Sequence, residues 1–225
     1  METTIHRQLK ELYAPDASGC EVSVDGYRID AVDGDRLIEI QQASLGAIRD
    51  KIRTLLESHD VTVVKPLAAR KYLIKRARKR GRIVSKRYSP VRETIWHLFA
   101  DLVHFVNVFP HPRLTLEVVF TEQEEHRLTK KTKRWRRKDY RVEDRLLREV
   151  TGIISLETVD DLIDLLPASL PAPFSTADLA REAEIPRWLA QKTAYCLRKT
   201  NAVTLAGKDG NALLYEVVSE ARRAA

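Results

Sequence analysis

Two acids and an amide stand close together near the start of the chain: Asp30, Glu39 and Gln41. Asp30 ends the run Tyr27-Arg28-Ile29-Asp30, and the other two lie in Arg36-Leu37-Ile38-Glu39-Ile40-Gln41. Such side chains offer hard oxygen donors of the kind that hold Mg²⁺ or Mn²⁺. A divalent cation there activates water for attack on a phosphodiester. Asp33-Gly34-Asp35 between the two runs carries turn chemistry, so the stretch reads as a two-stranded hairpin. Side chains alternate faces along a strand, which sends Glu39 and Gln41 to one side and Ile38 and Ile40 into a core. Asp30 reaches the Glu39 side across the ladder. The plainer alternative is an ordinary hairpin with acids on its solvent face.

With the elements around them, these residues resemble the PD-(D/E)XK nuclease superfamily, the restriction-endonuclease-like and Holliday-junction-resolvase-like proteins. The signature there is an Asp at a strand end, a hairpin, then Glu or Asp, any residue, and Lys. Here it reads Asp30, then Glu39-Ile40-Gln41. A short helix, roughly Ile5 to Tyr13, precedes it. An amphipathic helix, about Leu45 to Ser58, and the apolar strand Val61-Thr62-Val63-Val64 follow. That is the α-β-β-β-α-β order of the superfamily core. The resemblance implies an α/β (α+β) fold with a restriction-endonuclease-like core, a central mixed sheet flanked by helices. It implies Mg²⁺ or Mn²⁺ bound by Asp30, Glu39 and the Ile40 backbone carbonyl, with Glu11 as an extra acid on the first helix. Gln41 stands where the family has Lys. Some members work with Gln there, and in others the lysine has moved to the following helix. The resemblance therefore points to Gln41 or Lys51, with Lys65 behind it, as the group that orients the attacking water.

A chain of 225 residues holds one or two domains, and its 44% hydrophobic content suffices for a packed core. The net charge of +7 favours an anionic partner, nucleic acid first. No apolar run is long enough to span a bilayer, and Met1-Glu2-Thr3-Thr4-Ile5-His6 lacks the pattern of a secretory leader. A cytoplasmic protein without a membrane partner is the expectation. Cys20 and Cys196 lie far apart, and no CxxC or Cys/His cluster suggests zinc.

The positive charge is concentrated. From Val61 to Arg92 there is no acid, while Lys71, Lys75, Arg76, Arg78, Lys79, Arg80, Arg82, Lys86 and Arg87 crowd together. The pattern reads as a basic hairpin over about 68–89, closed near Gly81, able to lie along a phosphate backbone or enter a groove. A second basic segment, a loop over about 122–141, contains Arg134, Trp135, Arg136 and Arg137. Trp135 there is placed to stack on an unpaired base. The bland alternative for either run is a solvated loop.

Pro90 to Val108 reads as a helix with Ile95, Leu98, Phe99, Leu102, Val103 and Val106 on a buried stripe. His97 and His104 fall on it as core or surface histidines. Leu114 to Phe120 and Val150 to Leu156 read as strands. After the proline-rich Pro167–Pro173, Ser175 and Asp178 form a capping-box pattern, and Pro186 opens a second helix. Ala202–Leu205 and Leu213–Val217 flank a glycine-containing turn. Helix, turn, helix and wing resemble a winged helix-turn-helix domain, with the helix Asp160–Leu166 as its first. In such domains the second helix of the pair enters the major groove, which implicates Arg187, Gln191 and Lys192, with Lys208 at the wing tip.

These readings divide the chain at 1–156, a nuclease-like domain, and 157–225, a winged-helix domain. They predict a metal-dependent nuclease acting on DNA ahead of RNA. The alternative is a non-catalytic nucleic-acid-binding protein or winged-helix regulator on the same frame. A homodimer stays open.

Overall fold

The computed structural model describes residues 3–14, 19–130 and 139–218. The chain divides into two compact units. One comprises Met1–Gln42, Val64–Thr94 and Val118–Ile154, the other Ala43–Val63, Ile95–Glu117 and Ser155–Ala225. The class is α+β, with a large mixed sheet flanked by helices. Among the described residues no helix is long and apolar enough to cross a membrane.

The first unit is organised by a seven-stranded sheet. Helix α1 (Thr4–Tyr13) precedes β1 (Cys20–Val24), β2 (Tyr27–Asp33) and β3 (Arg36–Ile40). Then come β4 (Asp60–Arg76), β5 (Ile83–Tyr88), β6 (Leu114–Thr129) and β7 (Tyr140–Leu156). Their order is β1-β2-β3-β4-β6-β7, with β5 paired to β4. The expected hairpin is present: β2 and β3 run antiparallel, with Ala31 opposite Ile38 and Asp33 opposite Arg36. Gly34 takes the turn at φ 59, where a side chain would be strained. The alternation holds. Ile38 and Ile40 pack with Ala31, Val64 and Val119 against Ile5 and Leu9 of α1. Burying these apolar faces is what fixes the helix on the hairpin.

Strand β4 is a single element of 17 residues, where the sequence suggested a short strand and a separate hairpin arm. Pro66 lies inside it and offers no N–H. The structure accommodates it where the ladder pauses. Gln41 N–H donates to Val64 O, and pairing with β5 begins only at Tyr72 opposite Tyr88. In the gap, Glu93 takes the place of a neighbouring strand. Its carboxylate accepts Ala68 N–H at 2.6 Å, and its own N–H donates to Ala68 O at 3.1 Å. The basic loop expected over about 122–141 is also shorter than predicted. β6 continues to Thr129 because its acids have partners: Glu125 meets Arg127 and Arg145, and Glu124 meets His126 and Arg148.

In the second unit, the helix expected over 45–58 is a 3-10 turn, Leu45–Ala47, followed by α2 (Arg49–Leu55). The helix expected from Pro90 to Val108 is likewise shorter, a 3-10 turn at Ile95–His97 and α3 (Leu98–Leu102). Of the predicted stripe, Leu98, Phe99 and Leu102 are fully enclosed, while Ile95, Val103 and Val106 are half-buried and Phe105, which was not predicted, is fully enclosed. Beyond Leu102 the backbone tightens to i→i−3 bonds, His104 N–H to Asp101 O and Phe105 N–H to Leu102 O. The β-branched Val103, Val106 and Val108 and the approach to Pro110 oppose further α-helix.

The C-terminal part of this unit holds α4 (Val159–Asp164), β8 (Phe174–Ser175), α5 (Thr176–Glu182), α6 (Arg187–Lys199), β9 (Val203–Asp209) and β10 (Ala212–Val217). Its strands form a three-stranded sheet ordered β8-β10-β9. The predicted capping box is present: Ser175 Oγ accepts Ala177 and Asp178 N–H, and Asp178 accepts Ser175 N–H. A second box, Thr158 with Asp161, starts α4. Helix α6 buries Leu189, Ala190, Thr193, Ala194, Cys196 and Leu197 on one side. It ends at Lys199 with Thr200 as its C-cap, and Asn201 just beyond adopts φ 60, the left-handed conformation that closes many helices.

Candidate functional site

The middle of β2, at Asp30, and the end of β3, at Ile40, lie under α1. The β2–β3 ladder runs from Asp33–Arg36 to Ala31–Ile38, and Asp30 and Glu39 lie just beyond it. Glu39, between Ile38 and Ile40, falls on the face of β3 turned away from α1. Asp30 is half-buried, and Glu39 is 9% exposed. The Oδ2 atom of Asp30 accepts Ile40 N–H at 2.9 Å. His6, on α1, brings Nε2 to 3.2 Å from the same Oδ2 and to 3.1 Å from the Ile40 carbonyl oxygen. As an N–H donor, it serves both oxygens at once. Two oxygens named from the sequence, the Asp30 carboxylate and the Ile40 carbonyl, therefore converge on one positively polarised hydrogen.

Lys10 stands one turn after His6, on the same helical face. It is buried, with Nζ 2.9 Å from Glu21 Oε1 and 4.0 Å from Asp30 Oδ1. Burial pushes the Asp30 carboxyl up. The His6 and Ile40 hydrogen bonds and the charges of His6 and Lys10 outweigh it and hold the pKa below the usual value. The acid is thus ionised across the ordinary pH range.

The remaining residues named from the sequence separate clearly. Gln41 follows β3, half-buried. Glu11 lies on the outer side of α1, its side chain 67% exposed and 3.8 Å from Arg7. Lys51 belongs to α2, in the second unit. Lys65 is buried on β4 and donates to Gln42 O at 3.4 Å. Neither His6 nor Lys10 was singled out by sequence reasoning. The only signal was their i, i+4 spacing on a helix that must cover the hairpin. Among the described residues, no group of three or more His, Cys, Asp or Glu side chains is arranged to hold a metal. What gathers at this point is one carboxylate, one imidazole and one backbone carbonyl.

The basic hairpin is formed by β4 and β5, with Ala77 N–H bonded to Arg82 O and Gly81 N–H to Arg78 O across the tip. Its cations fall into two groups. Lys71 faces Glu93 at 3.7 Å, Lys75 meets Asp139 at 2.5 Å, and Arg76 donates to Gly81 O. Arg78, Lys79, Arg80, Arg82, Lys86 and Arg87 are exposed or half-exposed along the outer arm and tip. β5 is exposed along its whole length. Beside it lies an aromatic pair that the sequence did not reveal. Tyr72 and Tyr88 are cross-strand neighbours with centroids 5.1 Å apart, Arg70 sits 3.9 Å from the Tyr88 ring and Arg148 4.7 Å from Tyr72. Arg134, Trp135, Arg136 and Arg137 lie outside the described residues.

In the second unit Arg187 and Gln191 are exposed on α6, Lys192 is half-buried, and Lys208 is exposed near the β9–β10 turn. Arg187 Nε donates to Thr176 Oγ1 at 3.2 Å.

No solved structure matches the chain. It is similar to an uncharacterized protein of Treponema pallidum (strain Nichols), 30% identical over 181 residues, which cover 80% of this chain and 72% of the relative. Residues 3–157, which include the hairpin, its acids and the basic ribbon, match a domain of unknown function, DUF8091. The chain belongs to the DUF8091 family.

Proposed function

We propose that this protein is a metal-dependent nuclease of the PD-(D/E)XK type, acting on nucleic-acid phosphodiesters, with DNA ahead of RNA. One observation carries the reading. The Asp30 carboxylate and the Ile40 carbonyl converge on the His6 imidazole, 3.2 Å and 3.1 Å from its Nε2. The donor chemistry suits Mg²⁺ or Mn²⁺: hard oxygens from the Asp30 carboxylate and the Ile40 carbonyl, with Glu39 as the second acid that the resemblance implies.

When bound, such an ion supplies Lewis acidity and an activated water. The chain's own residues do the rest. Ile40 N–H and His6 orient the Asp30 carboxylate. Lys10 helps keep it ionised and adds a cation beside the acid. Gln41 orients water through its amide. The exposed cations of the β4–β5 ribbon neutralise substrate phosphates, and each phosphate so neutralised steepens the salt dependence of binding. The α4-β8-α5-α6-β9-β10 order supports a winged helix in the second unit, with α6 and Lys208 as further points of attachment.

Incubation of the full chain with Mg²⁺ and single- and double-stranded DNA and RNA tests the reading. Wild type cleaves, whereas Asp30→Ala and Glu39→Ala do not. Cleavage that survives both substitutions removes these residues from the chemistry.

A binding-only protein is the second reading. It is favoured by the engagement of Asp30 Oδ2 with two donors and by Gln41 in place of lysine. It predicts salt-sensitive nucleic-acid binding with no metal requirement.

A further inference from the structure

The outer face of α6 was expected to be simply polar. The structure adds two large rings to it. Trp188 is 50% exposed and Tyr195 44% exposed, although both belong to a helix whose other side is fully packed. They are seven residues apart, about two turns or roughly 10 Å along one face. Cations flank them. Lys192 Nζ lies 5.8 Å from the Trp188 ring centroid and Lys199 Nζ 6.0 Å from that of Tyr195. Arg187 and Arg198 extend the positive edge, and no acid occurs from Arg187 to Lys199. Of the acids just before the helix, Asp178 is committed to Ser175 and Arg181 and Glu182 to Arg181 and Ser169, while Glu184 is exposed three residues before Arg187.

Exposed rings on a rigid helix are unusual for a surface that reads only a duplex. Bases inside a duplex are already stacked and offer no free face to a ring. An unpaired base does offer one, and stacking on Trp or Tyr is tolerant of sequence. Cations beside each ring suit the phosphates that accompany the base. We infer that the Trp188–Tyr195 face of α6 binds a nucleic-acid strand with unpaired bases, so that this helix selects single-stranded or locally opened substrate. The inference rests on the nucleic-acid part of the proposed function and extends it to a substrate class. Charge complementarity chooses the occupant: four cations and no acid on the helix call for a polyanion.

The test is fluorescence anisotropy on the full chain in EDTA, with a labelled single strand and the duplex of the same sequence. Wild type is expected to bind the single strand more tightly. Trp188→Ala and Tyr195→Ala should each weaken that binding by roughly fivefold to a hundredfold, while duplex affinity stays within about twofold. Trp188→Phe, which keeps a ring, should retain most of it. Both positions are exposed, so circular dichroism should be unchanged. Single-strand affinity unaltered in both alanine variants overturns this inference alone. Absence of binding to either nucleic acid overturns it together with the nucleic-acid reading.

Discussion

The cluster under α1 and the outer face of α6 are both built on a helix whose apolar side is buried, yet they present polar groups in opposite ways. Under α1, the groups converge. His6, Asp30 and the Ile40 backbone meet within hydrogen-bonding distance, and Lys10 closes the side. On α6, the groups diverge. Arg187, Arg198 and Lys199 are exposed along the helix, and Lys192 is half-buried with Nζ 3.3 Å from Ala100 O. Convergence suits a small, charge-dense ligand and fixes its position. Divergence suits an extended polyanion and fixes little beyond its path. Chemistry should therefore depend steeply on single residues in the first region, and binding should be spread over many in the second.

The largest expected effect lies under α1. Asp30→Ala should lower metal-dependent cleavage by about a hundredfold or more, since even the outer partners of metal ligands are typically worth tenfold to a hundredfold. His6→Ala should cost about tenfold to a hundredfold in cleavage at fixed Mn²⁺. Glu11→Ala on the same helix should leave it unchanged. Equal losses for His6→Ala and Glu11→Ala would dissolve the distinction between a converging site and a charged helix surface.

Smaller effects belong to the ribbon and the helix face. Lys79→Ala or Arg80→Ala should weaken binding evenly across sequences. Each should lower the salt slope by about one for every phosphate that the removed cation had neutralised, as read from affinities at several salt concentrations. A hundredfold weakening from one of these substitutions would mean that the ribbon, too, is a focused site.

The smallest expected effect concerns the scaffold that holds α6. Hydrogen bonds from the Ser175 hydroxyl and backbone, then from Arg181, lower the Asp178 pKa to about 2. Its folded-state pKa lies below its ordinary 3.8, so its contribution is present above that value and is lost as pH falls toward 2. Asp178→Asn should therefore destabilise by about 1 kcal/mol at neutral pH. The thermal melting curves of variant and wild type should draw together as pH approaches 2. A gap that persists in acid would show that the cap is not what the carboxylate supplies.

The hairpin was legible because its cues are local. Asp-Gly marks the turn, and alternation around Ile38 and Ile40 sets the register. The capping box at Ser175 and Asp178 was legible for the same reason. The run of β4 through Pro66 was not, because what permits it is Glu93, more than twenty residues away, bonding to Ala68. His6 and Lys10 escaped for a related reason. Their roles depend on how α1 sits on the hairpin, which is a packing outcome rather than a motif. The exposure of Trp188 was hidden because an aromatic residue in an amphipathic helix is normally counted toward the core.

A calorimetric titration of the full chain with Mn²⁺, in wild type and in Asp30→Asn, probes the converging cluster most directly. The carboxylate-to-amide change keeps the shape and removes the charge. Wild type should show a saturable site that is lost, or weakened at least about tenfold, in the variant. No heat from wild type, or the same isotherm from both proteins, would refute a cation site at Asp30.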